Sequence, residues 1–481
     1  MAVAERAAPR TVSRLGGRFA QPHAGLVAVV GLAALLRLAT ELAYRPALFF
    51  VDSWSYVVWA YDPSLSGFPG DRPAGYGFFL NIVDFLGRSL PLLVTVQHLA
   101  GMATGLLVYF LLLRLGSGRG WATLAAAIVL LDGYAITLEQ YLMPEALFTL
   151  ALTASAFLLT VTRRGPAALA ASGALLAVAI SLRTMGLFAV PPWILYVALT
   201  RLPRRALIAA AAGLLLPLLA YASAQASAGE GFAITPPGSS WFLYGRIGHI
   251  ADCSGIHVPA AERPLCVNRP ARERHPSPDF YVWKSGSPAN RTFGYVYKDP
   301  KSLGHGNRTL RSFAFRIVRH RPLPYLGVAA LDFGRFFAPG VASEPPDDGA
   351  IELPADPHQW FPGRHVRDRF FPHYNPRAHF PSKAVRDYQR IFHTPRWLMA
   401  ILSLAVLALI PVGWGGRRPL PRRREALFLG GAALLMLLAT AATTIFNVRY
   451  IVSLVPLLTA GGALALEDLT RLARRPRPSP G

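Results

Sequence analysis

The chain has 481 residues, 53% of them hydrophobic and only 16% charged, with a formal net charge of +23 at pH 7. So apolar a composition excludes an ordinary soluble domain, a disordered or collagenous chain and a small disulfide-stapled scaffold, and at about 20 apolar residues per crossing it leaves room for many membrane spans. The basic residues fall in short clusters between apolar runs, with no nucleic-acid-binding motif, so they read as topology signals and a nucleic-acid partner is excluded.

In chain order, the stretch 1–24 carries Arg6, Arg10, Arg14 and Arg18 without a short apolar core or cleavage site, and reads as a cytoplasmic tail before an uncleaved anchor. Apolar runs follow near 25–44, 91–112, 121–138, 144–161, 166–182, 185–200 and 206–224, then near 395–412, 425–443 and 450–466, which makes about ten transmembrane helices. Arginines gather in every second short loop: Arg114 and Arg119, Arg163 and Arg164, Arg201, Arg204 and Arg205, Arg417, Arg418 and Arg422 to Arg424, then Arg471, Arg474, Arg475 and Arg477. The positive-inside rule makes these loops and both termini cytoplasmic, in a multi-pass protein of the plasma or inner membrane.

The expected fold is an all-α polytopic membrane protein with an irregular, mixed extracytoplasmic domain. Its parts are the tail 1–24, a transmembrane module 25–224 with a first outer loop 45–90, the outer domain 225–394, C-terminal helices 395–466 and a cytoplasmic tail 467–481. Within the first outer loop, 78–89 has the pattern of a short amphipathic helix lying on the membrane surface. The outer domain is rich in Pro, Gly, His and aromatics, with helices predicted over 308–320 and 322–337; its aromatics suit either a core or a sugar-binding surface. It holds the two cysteines of the chain, Cys253 and Cys266, read as a disulfide that an oxidising exterior preserves, with two buried free thiols as the alternative.

Charges at membrane depth or in sparse outer loops are costly to keep, which makes them the first functional candidates. Asp52 lies in FFVDSWSYVVWAYD, Asp71 and Arg72 in GDRPAGYGFFL, Glu139 and Glu145 in LEQYLMPEALF, Arg183 in SLRTMGLFAVPP and Arg449 in FNVRYIVSLVPLL. An Arg fork matches phosphate oxygens in a way Lys cannot. A carboxylate among Trp54, Tyr56 and Trp59 is expected to have a raised pKa and the basicity to deprotonate a hydroxyl, while the rings offer stacking faces to a sugar. Plainer roles stand beside these: DSWS is a good helix N-cap, Asp71 and Arg72 suit a loop ion pair, Glu139 and Glu145 suit caps or structural ion pairs, and Arg183 and Arg449 suit interface anchors. Arg37 and Asp132, inside spans, read as an internal polar pair or as the lining of a water cavity. His365, His373 and His379 lack the short spacing of a zinc site, so neither a metal nor another cofactor is expected.

Together these residues resemble the GT-C superfamily of polytopic glycosyltransferases, which includes protein O-mannosyltransferases and aminoarabinose transferases of lipid A. Members carry an acidic residue directly after the first span, matched by Asp52, which the resemblance implies is the catalytic base. An acidic-basic-Pro segment before a juxtamembrane helix is matched by Asp71, Arg72 and Pro73 ahead of Tyr76. An Arg opening a late span with a following Pro is matched by Arg449 and Tyr450 with Pro456, and the middle-span Arg by Arg183 before Pro191 and Pro192. The substrate-binding set is then Asp71, Arg72, Tyr76, Glu145, Arg183, Arg449 and Tyr450. The resemblance covers roughly 25–224 and 395–466, and it departs from the protein mannosyltransferases at Ser53, where a second acid is usual.

The implied activity is transfer of a sugar, with inversion, from a polyprenyl-phosphate donor to an envelope glycan, lipid or protein acceptor at the extracytoplasmic face, with the lipid bilayer as the other partner. A transporter or flippase for a lipid-linked substrate is the alternative, and it predicts repeated halves and broken helices with polar groups at mid-membrane. A third reading, a non-catalytic membrane subunit, predicts that Asp52 can be lost without consequence.

Overall fold

A computed structural model of the protein describes residues 23–87, 89–161, 165–295, 304–340, 351–357, 369–412 and 420–474. Arg6, Arg10, Arg14, Arg18, Arg163, Arg164, His365, Arg417, Arg418, Arg475 and Arg477 lie outside the described residues. Among those described there is no strand; an isolated parallel bridge joins Leu48 to Tyr141.

The protein is an all-α, multi-pass membrane protein, and each of the apolar runs is helical. By length and composition, Ala24–Ala43, Leu90–Arg114, Arg204–Ser227 and Arg423–Thr443 can each cross a bilayer, and two bent pairs raise the number to six if each pair is one span. Glu145–Val161 and Pro166–Leu182 are shorter apolar helices of 17 residues each, about 25 Å long and at the lower end of the length that spans a bilayer. The last helix, Val455–Ala473, carries Glu467, Asp468 and Arg471 in its final turns.

The first bent pair, Arg119–Leu130 with Gly133–Gln140, turns by 44°. Asp132 makes the break stable. Its carboxylate accepts from the amides of Ala135 at 2.8 Å and Thr394 at 2.7 Å, so it caps the second half and ties it to a distant segment. Of the two roles expected for Asp132, this excludes the pairing with Arg37, while Asp132 does line an internal pocket. Arg37 instead bonds Glu139, with Nη2 donating to Oε1 at 2.8 Å, and His98 Nδ1 lies 2.8 Å from the other Glu139 oxygen.

Small residues let the helices approach closely. Arg204–Ser227 packs along Pro166–Leu182 so tightly that a Cβ on Gly213 would strike the Ala170 backbone and one on Gly173 the Leu214 amide. At the far end of the bundle from the site described below, buried Arg422 bridges Glu467 and Asp468, and Ser117 Oγ donates to Glu467.

The juxtamembrane helix begins earlier than its sequence pattern suggested, at Gly75, and ends at Phe85 just before Gly87 at φ +114°. Tyr76, Leu80 and Val83 face inward, whereas Phe78, Ile82 and Phe85 are exposed. The helices Asn307–His320 and Pro322–Arg335 are present as expected, the second two residues shorter. A second core gathers Trp241, Tyr244, Tyr281, Leu310, Phe313 and Ile317, while Leu353, Phe371, Tyr374 and Val385 join the main core. Cys253 and Cys266 form a disulfide, with Cα atoms 5.7 Å apart.

Candidate active site

Asp52 occupies the N-cap position of Ser53–Tyr61, yet its side chain makes no cap bond. Ser53 fixes the turn instead: its Oγ accepts from the Phe50 amide and donates to the Leu142 carbonyl, each at 2.8 Å. The Asp52 carboxylate is thereby left to two guanidinium groups. Arg72 Nη2 donates to Oδ1 at 2.5 Å, and Arg449 Nη1 donates to Oδ2. Arg72 Nε also lies 3.2 Å from Asp71 Oδ2, and Asp71 accepts from Ser55 Oγ at 2.7 Å. Arg449 is aimed by Asn447, whose side chain caps the short helix Val448–Val452 by accepting from the Arg449 amide at 3.1 Å.

Arg183 terminates Pro166–Leu182 in an extended conformation and pairs with Glu145. Its guanidinium stands 5.2 Å from the centre of the Tyr450 ring, and that of Arg449 stands 5.5 Å from the same ring. Tyr56 meets Arg72 at 5.7 Å and Tyr76 edge-on at 5.0 Å, and the Tyr76 hydroxyl donates to Gln97 at 2.7 Å. One contiguous cluster therefore unites Asp52, Asp71, Arg72, Tyr76, Glu145, Arg183, Arg449 and Tyr450. Glu139 stays outside it, neutralised by Arg37. Cys253 and Cys266 lie apart from it.

The electrostatics correct one expectation. Burial would raise the Asp52 carboxyl, but the charges of Arg449 and Arg72 outweigh it and hold the group below the usual carboxylate range. The nearby aromatics thus do not make Asp52 the raised acid. That is Asp71, where burial outweighs Arg72 and the Ser55 hydrogen bond.

Two clefts meet at Asp71, Arg72, Phe242, Thr444 and Tyr450. The first, about 1050 Å³ with the open solvent at its mouth, is lined by Asp52 and Arg449 together with Phe242, Phe280 and Trp283. The second, about 1110 Å³, is lined mainly by apolar groups such as Leu182, Met185, Phe188 and Leu243, with Arg183 at its side. An anionic head with a long apolar tail fits the second cleft, and a polar molecule fits the first beside the carboxylate. Sequence reasoning missed Phe50, Ser55 and the Phe242–Trp283 wall; the aromatic richness of 225–394 was the one signal for the wall.

Residues 92–216 match the family described as dolichyl-phosphate-mannose-protein mannosyltransferase, so the glycosyltransferase resemblance is borne out over that segment. No curated protein matches the chain. Similar solved structures include the S. cerevisiae protein O-mannosyltransferase Pmt1–Pmt2 complex bound to its sugar donor, at 17% identity over 49% of this chain and 38% of that one, with a TM-score of 0.36. The oligosaccharyltransferase AglB of Archaeoglobus fulgidus, in complex with an inhibitory peptide and a dolichol-phosphate, is 13% identical over 93% of this chain and 51% of its own, with a TM-score of 0.39. ArnT from Cupriavidus metallidurans bound to undecaprenyl phosphate is 13% identical over 92% of this chain and 78% of that one, with a TM-score of 0.35. The chain spans about half or less of the length of the first two.

Proposed function

We propose that the protein is a membrane glycosyltransferase that moves a sugar from a polyprenyl-phosphate donor to an acceptor hydroxyl, with inversion, at the extracytoplasmic face. The observation that carries this reading is the Asp52 carboxylate held between Arg72 and Arg449 where a polar and an apolar cleft meet. The family match over 92–216 supports the same chemistry.

In this reading the lipid tail lies in the apolar cleft, and Arg183, Arg449 and Arg72 receive the phosphate, with Tyr450 between two of the forks. As the guanidinium groups turn to the phosphate, the Asp52 oxygens are released toward the polar cleft. The acceptor oxygen attacks the sugar carbon and forms the new C–O bond. Its proton passes to Asp52, and the C–O bond to phosphate breaks, leaving its electrons on polyprenyl phosphate, whose added charge the arginines balance. Asp71 and Glu145 hold Arg72 and Arg183 in place, and Tyr76 supports Tyr56 from below. The site end of the bundle is extracytoplasmic, the segment 225–394 lies outside as a cover, and both termini are cytoplasmic in a plasma or inner membrane.

Asp52→Asn tests the base. It keeps the shape while removing the basic oxygen, so transfer should fall by roughly 10² or more while donor binding persists. Near-normal turnover with normal expression removes Asp52 from that role. A transporter or flippase draws support from the broken helix at Asp132 and the buried Arg37–Glu139–His98 group. It predicts lipid-linked sugar crossing proteoliposome bilayers at the same rate in Asp52→Asn.

A further inference from the structure

One wall of the polar cleft that Asp52 also lines packs against the second core, and the reaction chemistry above assigns it no role. Its surface is built from two aromatic pairs. Phe242 and Trp283 meet edge-on at 5.7 Å, and His275 and Phe280 stack at 4.4 Å with planes 13° apart. Ser277, Asp279 and Lys284 stand between them in the lining, and Trp54 lies on the Asp52 side. All of these rings except His275 are half-buried, so their apolar faces border the cleft without being consumed by the core.

The wall is anchored from behind. Tyr281 and Val282, on the same short helix Pro278–Trp283, are buried in the second core. The Asn290 side chain donates to the Val282 carbonyl at 2.8 Å. Arg274, immediately before His275, bonds Asp252 at 3.0 Å and the Arg269 carbonyl at 2.6 Å, and Asp252 adjoins the disulfide at Cys253. The rings are therefore positioned before any ligand arrives, which is how a binding surface lowers the ordering cost of recognition.

We propose that this wall is the acceptor subsite and that it takes a neutral carbohydrate, whose ring C–H faces lie on Trp283 and Phe242 while its hydroxyls bond Asp279, His275 and Lys284. The inference rests on the glycosyltransferase reading and names its acceptor class. Charge selects a neutral ligand: in the lining, Asp52, Asp71 and Asp279 balance Arg72, Arg449 and Lys284, leaving no cationic excess for a polyanion once the donor phosphate is bound. Shape disfavours an extended peptide, which is commonly recognised along a strand edge; among the described residues the cleft has none.

The test uses the full-length protein in nanodiscs and saturation-transfer NMR with three probes: a neutral methyl disaccharide series of hexoses and pentoses, the same sugars phosphorylated, and a Ser/Thr-containing peptide. Polyprenyl-phosphate binding is measured separately on the same samples. At least one neutral disaccharide should receive saturation on its ring C–H protons. Trp283→Leu should weaken that binding by about tenfold, the scale of a lost aromatic anchor, while Trp283→Phe retains most of it. A purely packing role for Trp283 predicts equal behaviour of Leu and Phe, and that result overturns the proposal. So does binding of only the peptide or only the phosphorylated sugars. Absent binding of every neutral sugar with intact polyprenyl-phosphate binding overturns the acceptor assignment alone, whereas absent polyprenyl-phosphate binding overturns the glycosyltransferase reading itself.

Discussion

Arg449 donates to the Asp52 carboxylate from 397 positions further along the chain, so the first outer loop and the last helical segment complete one ion pair between them. Both side chains are nearly inaccessible to solvent. Removing Arg449 leaves Asp52 to Arg72 alone, so the cost falls below the roughly 3–5 kcal/mol of a buried charge left with no partner, and a like-charged replacement avoids most of it. Arg449→Ala should therefore lower the thermal unfolding midpoint as well as donor affinity. Arg449→Lys should leave the midpoint near its original value yet raise the donor KM by about tenfold, because an ammonium cannot form the fork. Equal donor KM values for wild type and Arg449→Lys would remove the fork from the donor site.

Gly213 gives the packing of the membrane helices a direct check. Its missing Cβ is what lets Arg204–Ser227 rest on the Ala170 backbone. Gly213→Ala should destabilise by about 1–3 kcal/mol through overpacking. Gly31→Ala serves as the control, since a Cβ there meets nothing within 4 Å, and it should be neutral or stabilising by up to about 1 kcal/mol. Detergent-unfolding curves of the two variants give the comparison, and matching curves would refute the close approach.

Acid should loosen the second core before it reaches the carboxylates. Burial, aided by Arg246, pushes His249 down from 6.5 to about 4. The folded protein then binds fewer protons than the unfolded chain between those values, so this contribution is complete above pH 6.5 and is lost as the pH falls toward 4. It amounts to about 3 kcal/mol at most. The protection factors of the Ser239–Gly248 amides should fall across that window, and His249→Phe should flatten the response. An unchanged slope in that variant would assign the effect to other groups.

Topology can be read with reporters. A fusion after residue 300 should be active as an extracytoplasmic phosphatase and silent as a cytoplasmic reporter. The opposite pattern would invert the arrangement and place the site on the wrong face for an exported acceptor.

The sequence made the helices legible because apolar runs of this length have few other solutions in lipid, and basic clusters marked their ends. It made the members of the buried charge cluster legible as well, since Asp52, Asp71, Arg72, Arg183 and Arg449 are charges in places where charges are expensive. Partnership was the illegible part. Arg37 bonds Glu139 and not Asp132, because a helix break between them needs Asp132 as its cap. The Asp52 pKa moves opposite to what its aromatic neighbours suggest, because Arg72 and Arg449 arrive from remote segments. The aromatic wall was hidden for the same reason: Phe242 and Trp283 lie 41 positions apart and form one surface only after the second core folds.

The helix Gly75–Phe85 gives the lipid a mechanical part in this chemistry. Phe78, Ile82 and Phe85 point outward, and only Pro73 and Ala74 separate that helix from Arg72. The exposed apolar side chains and the guanidinium that bonds Asp52 are thus joined by a two-residue link, so the bilayer is a direct neighbour of the charge cluster. Reconstitution in vesicles of different acyl-chain length should change turnover; equal turnover across chain lengths would show that the link carries no such coupling.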